Sequence, residues 1–231
     1  SDCRGNLRII HNEFQDKYDG LHMRCGTEPE MMWLKRGEDG RPNGGVTKPN
    51  CYHIDQFEEL RPTFMKVIEY SQAMGLDIIQ GDHEDAPGQL ELNTMYDDVL
   101  RNADRLTTYR QICAQVARED GLIACFMSKP FMGVSASGCH HNMSLWRGGK
   151  DTVNDLHFDK LPGMAGAFSY LVGGDNTFMP DPSIDERKPG PIGLQCIGGV
   201  MKHLGALTSI GSSTVNSYRR LWDTGFWAPV F

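Results

Sequence analysis

Glu28 and Glu30 lie two residues apart in the run Cys25-Gly26-Thr27-Glu28-Pro29-Glu30-Met31-Met32-Trp33. On a strand, side chains two apart project from one face, so both carboxylates would share a surface with apolar neighbours. Adjacent carboxylates on a half-buried face repel and resist desolvation unless a cation or a proton compensates them. Pro29 between them marks an edge or irregular strand, and taken alone the pair also reads as solvated surface glutamates. A further acidic set follows in Asp82-His83-Glu84-Asp85-Ala86-Pro87-Gly88-Gln89-Leu90-Glu91. With Pro87-Gly88 as the turn centre, Glu84 falls opposite Glu91, and directly opposed Cβ atoms sit about 4.5–5.5 Å apart. Like charges in that position again call for a metal. A Pro-Gly turn favours type II, which fits hairpin twist badly, so a polar hairpin tip stays open as the competing reading.

The segment Gly133-Val134-Ser135-Ala136-Ser137-Gly138-Cys139-His140-His141-Asn142-Met143-Ser144 combines small residues with imidazoles. Small residues let a backbone approach a ligand closely and offer N–H groups to anions. Adjacent histidines on a strand face opposite ways, so only one of His140 and His141 joins any single site. Cys139-His140-His141 lacks the matching ligand pair expected of zinc. Carboxylate oxygens with a single imidazole fit Mg2+ or Mn2+ better. Neither G-x-x-x-x-G-K-[ST] nor G-x-G-x-x-G occurs, so a bound nucleotide would depend on metals and isolated basic groups.

These residues need elements to position them. Residues 21–34 read as the strand carrying Glu28 and Glu30, and residues 35–54, rich in Gly, Pro, Lys and Asn, as a loop. Asp55 and Glu58 resemble a capping box, and the helix beyond Pro62 runs through Phe64, Val67, Ile68 and Ala73 to Gly75. Residues 76–80 are expected as a short strand. The longest helix spans about 97–120, with Val99, Ala103, Leu106, Ile112, Cys113 and Val116 as its apolar stripe and Gly121 as its stop. Residues 122–127 read as a buried strand and 140–146 as another. A proline-rich surface excursion covers 173–193, and a helix covers 194–208. Neither an internal repeat nor a domain boundary is evident.

Composition limits the partners. The 231 residues carry a formal charge of −7 with a pI of about 5.6, which argues against nucleic acid or a membrane surface. No apolar run approaches the roughly 18 residues needed to span a bilayer. Ser1-Asp2-Cys3-Arg4 has no signal-peptide pattern. The 7 cysteines are scattered without a C-x-x-C pair, so a reducing cytoplasm is expected rather than a disulfide framework. The closing run Trp227-Ala228-Pro229-Val230-Phe231 is apolar with no helix stop, which reads as a fragment.

Together and in this order, the segments resemble the glutamine synthetase family over nearly the whole chain. Glu28-Pro29-Glu30 resembles the family's first metal-binding strand, and His83 through Glu91 is similar to its H-E-x-A-P-G-Q-x-E motif. Ser137-Gly138-Cys139-His140 through Ser144-Leu145-Trp146 looks like its S-G-x-H…S-L segment, and Asn216-Ser217-Tyr218-Arg219-Arg220-Leu221 like its N-S-Y-[KR]-R-L signature. The resemblance implies an α+β fold, a curved antiparallel sheet with surrounding helices. Residues 1–231 would form part of that catalytic domain, the N-terminal β-grasp domain and the C-terminal part lying outside it. It also implies an ATP-dependent glutamate–amine ligase that activates glutamate as γ-glutamyl phosphate and joins it to ammonia or methylamine. Glu30, Glu84 and Glu91 would hold one Mg2+ or Mn2+ near glutamate, and Glu28 with His140 a second that bridges ATP phosphates. Arg220 would be the catalytic arginine, pairing with the substrate carboxylate or its phosphorylated form through a planar fork. A large ring-shaped homo-oligomer in the cytoplasm is the expected assembly.

Departures from the family pattern fall at informative places. Asn142 stands where a second histidine near the ATP phosphates is usual, so Asn142 and Ser144 become the nucleotide-binding candidates. Ser135-Ala136 occupies the place of the Asn-Gly that cradles glutamate. Trp227 falls where the family has a flap glutamate that serves ammonium. The pattern looks most like the type III branch, which includes γ-glutamylmethylamide synthetases, and an indole at 227 would favour methylammonium through cation–π attraction. Residues 147–193 are longer than in the common bacterial form. The alternatives are a ligase for another amine or carboxylate, and a non-catalytic structural or regulatory relative.

Overall fold

The computed structural model describes residues 2–45, 51–153, 169–180, 183 and 185–221. In chain order the elements are α1 (Cys3–Lys17), β1 (His22–Arg36), β2 (Pro42–Gly45), α2 (Ile54–Glu59), α3 (Arg61–Ala73), β3 (Ile78–His83), β4 (Gln89–Thr94), β5 (Asp97–Asp98) and α4 (Val99–Glu119). There follow β6 (Leu122–Cys125), β7 (Cys139–Arg147), β8 (Lys150–Val153), β9 (Ser169–Val172), β10 (Asp175–Asn176), α5 (Pro191–Lys202), α6 (Leu204–Gly211) and α7 (Val215–Tyr218). The fold is α+β with antiparallel strand pairing. The described residues within 1–26, 96–104 and 141–208 form one compact unit; those within 27–95, 105–140 and 209–231 form the other. Neither is continuous in sequence, which is why no single boundary was legible.

The first unit opens with α1, which the sequence reading did not anticipate. Asp2 caps it, its Oδ1 accepting from the Gly5 N–H at 2.9 Å, as a carboxylate at an N-cap should. The first residues of β1 pair with β5, Arg24 opposite Asp98 and Cys25 opposite Asp97. Arg24 is buried, with its guanidinium 4.2 Å above the Trp146 ring and Nη2 donating to the Gly173 carbonyl at 2.6 Å. The expected helix over 194–208 is instead α5 and α6, separated at His203. Gly190 and Pro191 start α5 three residues earlier than expected, as suits proline's fixed φ in a first turn.

The second unit carries the acidic segments. Here β1 pairs with β4 in the register Glu30↔Glu91, Met31↔Leu90 and Met32↔Gln89. Alternation then separates the faces. Met31 and Trp33 of β1 with Leu90 and Leu92 of β4 pack on Phe64 and Val67 of α3 and on Tyr109, Ile112, Cys113 and Val116 of α4. Met32 and Leu34 pack with Ala86 and Cys125 in a smaller cluster. Glu28 and Glu30 share the parity of Met32, and Gln89, Glu91 and Asn93 share the parity opposite Leu90. The carboxylates therefore face away from the helix-backed core. Each fully buried aliphatic side chain on that core contributes about 1.5–3 kcal/mol.

Two local expectations fail for physical reasons. Asp82, not Glu84, opposes Glu91, and β3 ends at His83. The Ala86–Gln89 turn closes through Gln89 N–H to Ala86 O at 2.9 Å, and the next ladder bond is Glu84 N–H to Gln89 O at 3.0 Å. Gly88 has φ of 71°, the positive value that type II requires of its third residue. That turn cannot pass directly into a two-strand ladder, so Asp85 is taken up in the connection and the register moves by two. Asp55 also fails as a cap: α2 begins at Ile54 after His53, which makes no side-chain cap bond, so Asp55 lies inside the first turn. Residues 42–45 form β2 within the stretch read as loop.

Leu90 is fully buried in the core behind Glu91. Leu90→Ala should destabilise the protein by about 2–5 kcal/mol in chemical denaturation, through lost burial plus the cavity left behind.

Candidate metal centre

Ligand atoms of Glu28, Glu91 and His140 lie within 4.8 Å of one another, and they are the potential metal group of this kind among the described residues. His140 Nδ1 is 3.2 Å from Glu28 Oε2. Glu91 is only 6% exposed, whereas the His140 side chain is 64% exposed. The group thus runs from the protein interior to solvent, leaving a cation an open approach. His140 and His141 do diverge: His141 Nδ1 lies 3.7 Å from Cys25 Sγ, both within the first unit. No cysteine joins Glu28, Glu91 and His140.

Glu30 is held differently. Its Oε2 accepts from Gln89 Nε2 at 2.9 Å and from the Gly138 N–H at 2.9 Å. Gln89, 1% exposed, also donates to Ala136 O at 3.0 Å and Ser137 Oγ at 3.2 Å, while its own oxygen accepts from the Ala86 N–H at 2.9 Å. Ser135 Oγ donates to Asp85, so Ser135 and Ala136 are both tied to the 84–91 segment. Asn93 Nδ2 donates to Glu91 Oε1 at 2.7 Å.

Electrostatics follow from burial first and crowding second. Burial, reinforced by Glu30 and Glu91 and then by Asp82 and Asp85, pushes the Glu84 carboxyl from 4.5 to about 7. Burial raises Glu30 as well, opposed by the Gly138 N–H and by the charges of His140 and Arg220. Burial raises Glu91, opposed by the Asn93 amide and assisted by Glu30 and Glu28. Carboxyls displaced upward by burial, and further by one another, are those a divalent cation would return to the ionised form. The oxygen-rich donor set with a single imidazole suits Mg2+ or Mn2+.

Arg220 follows α7 in the short turn Arg219–Leu221. Thr214 caps that helix, accepting from the Ser217 N–H at 3.1 Å. Asn216 grips the backbone of Lys129 from both sides, accepting its N–H and donating to its carbonyl, each at 2.7 Å. The Nε of Arg220 is buried and has no partner among the described residues. An unsatisfied guanidinium donor close enough to act on Glu30 is suited to an anionic ligand.

The family model for the glutamine synthetase catalytic domain matches residues 1–181 and again residues 159–231. The chain belongs to the glutamine synthetase family. A glutamine synthetase from Methanococcus voltae is 31% identical over 231 residues, 99% of this chain and 44% of its own length. A glutamate–methylamine ligase from Methyloversatilis universalis is 31% identical over 215 residues, covering 89% of this chain and 43% of its own. Among solved structures, apo GmaS superposes with a TM-score of 0.74 at 28% identity, over 94% of this chain and 45% of that one. A Plasmodium falciparum glutamine synthetase shares the fold, with a TM-score of 0.71 at 20% identity, over 94% of this chain and 43% of that one. The chain thus spans somewhat less than half the length of these relatives.

Within that family frame, Glu28, Glu30, Glu84, Glu91, Ser135, Ala136, His140 and Arg220 all fall in the second unit. Asn142 and Ser144 lie on β7 in the first, where Ser144 Oγ accepts from Trp146 Nε1 at 2.7 Å. Trp227 lies outside the described residues. Sequence reasoning missed the structural parts of Gln89, Gly138 and Asn93. Gln89 and Gly138 lie inside the motifs at 83–91 and 137–146, but nothing in their types says which carboxylate they bind.

Raised carboxyls have a testable sign. In metal-free protein the folded state keeps protons that the unfolded chain releases, so stability should fall as pH rises from 4.5 to about 7. Thermal melts across that range should show the decline, and saturating Mg2+ or Mn2+ should flatten it. A metal-free melting temperature that rises through the same window contradicts this account.

Proposed function

We propose that this chain supplies the metal-binding wall of an ATP-dependent glutamate–amine ligase. The convergence of Glu28, Glu91 and His140 ligand atoms within 4.8 Å carries the reading, because buried carboxylates without a counter-charge would burden a purely structural relative. Glu30, Glu84 and Glu91 would hold one divalent cation, and Glu28 with His140 another. Bound Mg2+ or Mn2+ supplies Lewis acidity and neutralises phosphate charge during phosphoryl transfer.

The chain's own residues then have separable tasks. Arg220 would orient an oxyanion of glutamate or of its acyl phosphate, using the guanidinium whose Nε lacks a partner among the described residues. Ser135 and Ala136, tied to Asp85 and Gln89, would line the glutamate side. Asn142 and Ser144 would contact the nucleotide. In the balanced reaction the γ-carboxylate oxygen of glutamate takes the terminal phosphoryl group of ATP, releasing ADP. The amine nitrogen then forms the amide bond as phosphate leaves and the nitrogen gives up a proton.

The amine is the open element of this proposal. Resemblance to both a glutamine synthetase and a glutamate–methylamine ligase at 31% identity supports either ammonia or methylamine. Trp227 is proposed as the residue that favours the methyl group. A large homo-oligomer working in the cytoplasm completes the proposal; among the described residues, no helix is long and apolar enough to cross a membrane.

Phosphate release from ATP with glutamate and each amine, measured on the intact protein, tests both levels. Release that requires a divalent metal is expected with at least one amine, and absence with every amine favours the non-catalytic relative. A higher kcat/KM for methylamine is expected if Trp227 sets selectivity, and Trp227→Glu should then shift preference toward ammonium. A strong ammonium preference in the wild type sinks the methylamine reading alone.

A further inference from the structure

The Gln89 side chain belongs to neither of the ligand groups named above, yet it joins the 84–91 turn to Glu30 and to the 136–137 loop. It is 1% exposed. Its oxygen accepts from the Ala86 N–H at 2.9 Å, fixing the amide's orientation from the turn that it closes. That orientation aims Nε2 at Glu30 Oε2 at 2.9 Å, Ala136 O at 3.0 Å and Ser137 Oγ at 3.2 Å. Flipping the amide would set oxygen against two acceptors, so the assignment of nitrogen is forced by the network.

Glu30 Oε2 also receives the Gly138 N–H at 2.9 Å, so this oxygen has a donor from each of two directions. The other oxygen faces elsewhere. A Cβ built on Gly138 would lie 3.0 Å from Glu30 Oε1 and 3.2 Å from His140 Nε2. Glu30 Oε1 and His140 Nε2 therefore border the same small space, one that a side chain at 138 would enter.

We propose that Gln89 is a positioning residue that commits Glu30 Oε2 to the 136–138 loop and leaves Oε1 alone to face a cation. The inference rests on the reading of Glu30 as a metal ligand. A single available oxygen makes Glu30 a one-point ligand, and the same amide sets the loop bearing Ser135 and Ala136 at a fixed distance from it. Cation placement and the glutamate-side loop are thus tied to one neutral side chain. Because the amide is uncharged, it orients Glu30 without neutralising it, as a lysine there would.

The test is Mn2+ binding to the intact protein by calorimetry, alongside circular dichroism and thermal melts. Gln89→Met, similar in size but without donors, should remain folded and bind Mn2+ about 10–100-fold more weakly, the usual loss when an outer partner of a ligand is removed. Gln89→Asn keeps the amide but is too short to span Ala86 and Glu30, and carries the test if the Met variant does not fold. Gly138→Ala, which crowds Oε1 while sparing the Gln89 bonds, should also weaken Mn2+ binding. A folded Gln89 variant with a lower melting temperature but unchanged Mn2+ affinity overturns the proposal. Wild-type protein that binds Mn2+ but releases no phosphate instead overturns the ligase reading and leaves this one standing.

Discussion

Carboxylates gathered on one sheet face against their own repulsion are the constraint from which the rest of this structure follows. Two unit charges 4 Å apart at an effective dielectric of 20 repel by about 4 kcal/mol, so the surrounding protein must hold them there by other means. The Glu30↔Glu91 pairing of β1 with β4 does so through the hydrogen bonds of the ladder. On the reverse face, Met31, Trp33, Leu90 and Leu92 are locked against α3 and α4. A strand cannot turn its carboxylates outward without turning those apolar side chains into water, because a side-chain period of two couples the faces. The hydrophobic core thus opposes the electrostatic cost of the site.

The polar contacts complement that arrangement. Among the described residues, the donors reaching Glu30 and Glu91 are the amides of Gln89, Asn93 and Gly138. Neutral donors restrict rotamers and satisfy lone pairs while leaving net charge for a cation to compensate. Lys129, buried nearby in the chain, spends its ammonium on the Val134 carbonyl instead. Charge is organised rather than cancelled, which is the condition a metal-binding surface needs.

Much of this was legible because it depends on short-range rules. The strand through Glu28 and Glu30, the helix beyond Pro62 and the long α4 follow from periodicity and stop signals. The joining of His140 to Glu28 came through the resemblance; no spacing rule brings residues 112 apart to within 3.2 Å. The Asp82↔Glu91 register was missed because turn type, not hydrophobic alternation, decides it when both strands are polar on one face. The first helix was missed because its apolar residues are few and only His11 is buried. Its capping aspartate was the available sign. Gln89 illustrates a harder limit: an amide's partners depend on how three segments meet, which no local pattern encodes.

The interleaving of the two compact units has a consequence for biosynthesis. Strand β1 contributes to both, and each unit draws on segments more than 100 residues apart along the chain. Ribosomal synthesis proceeds from the N-terminus, so the core cluster from Met31 to Ala117 is complete along the chain while the segment from Ser209 onward is still untranslated. Loop-closure entropy then weighs on the late segments rather than on the strands that present Glu28, Glu30 and Glu91, because β4 finds both its neighbours, β1 and β3, earlier in the chain. A nascent chain of this kind can therefore pair its acidic strands before the segment bearing Arg220 leaves the ribosome.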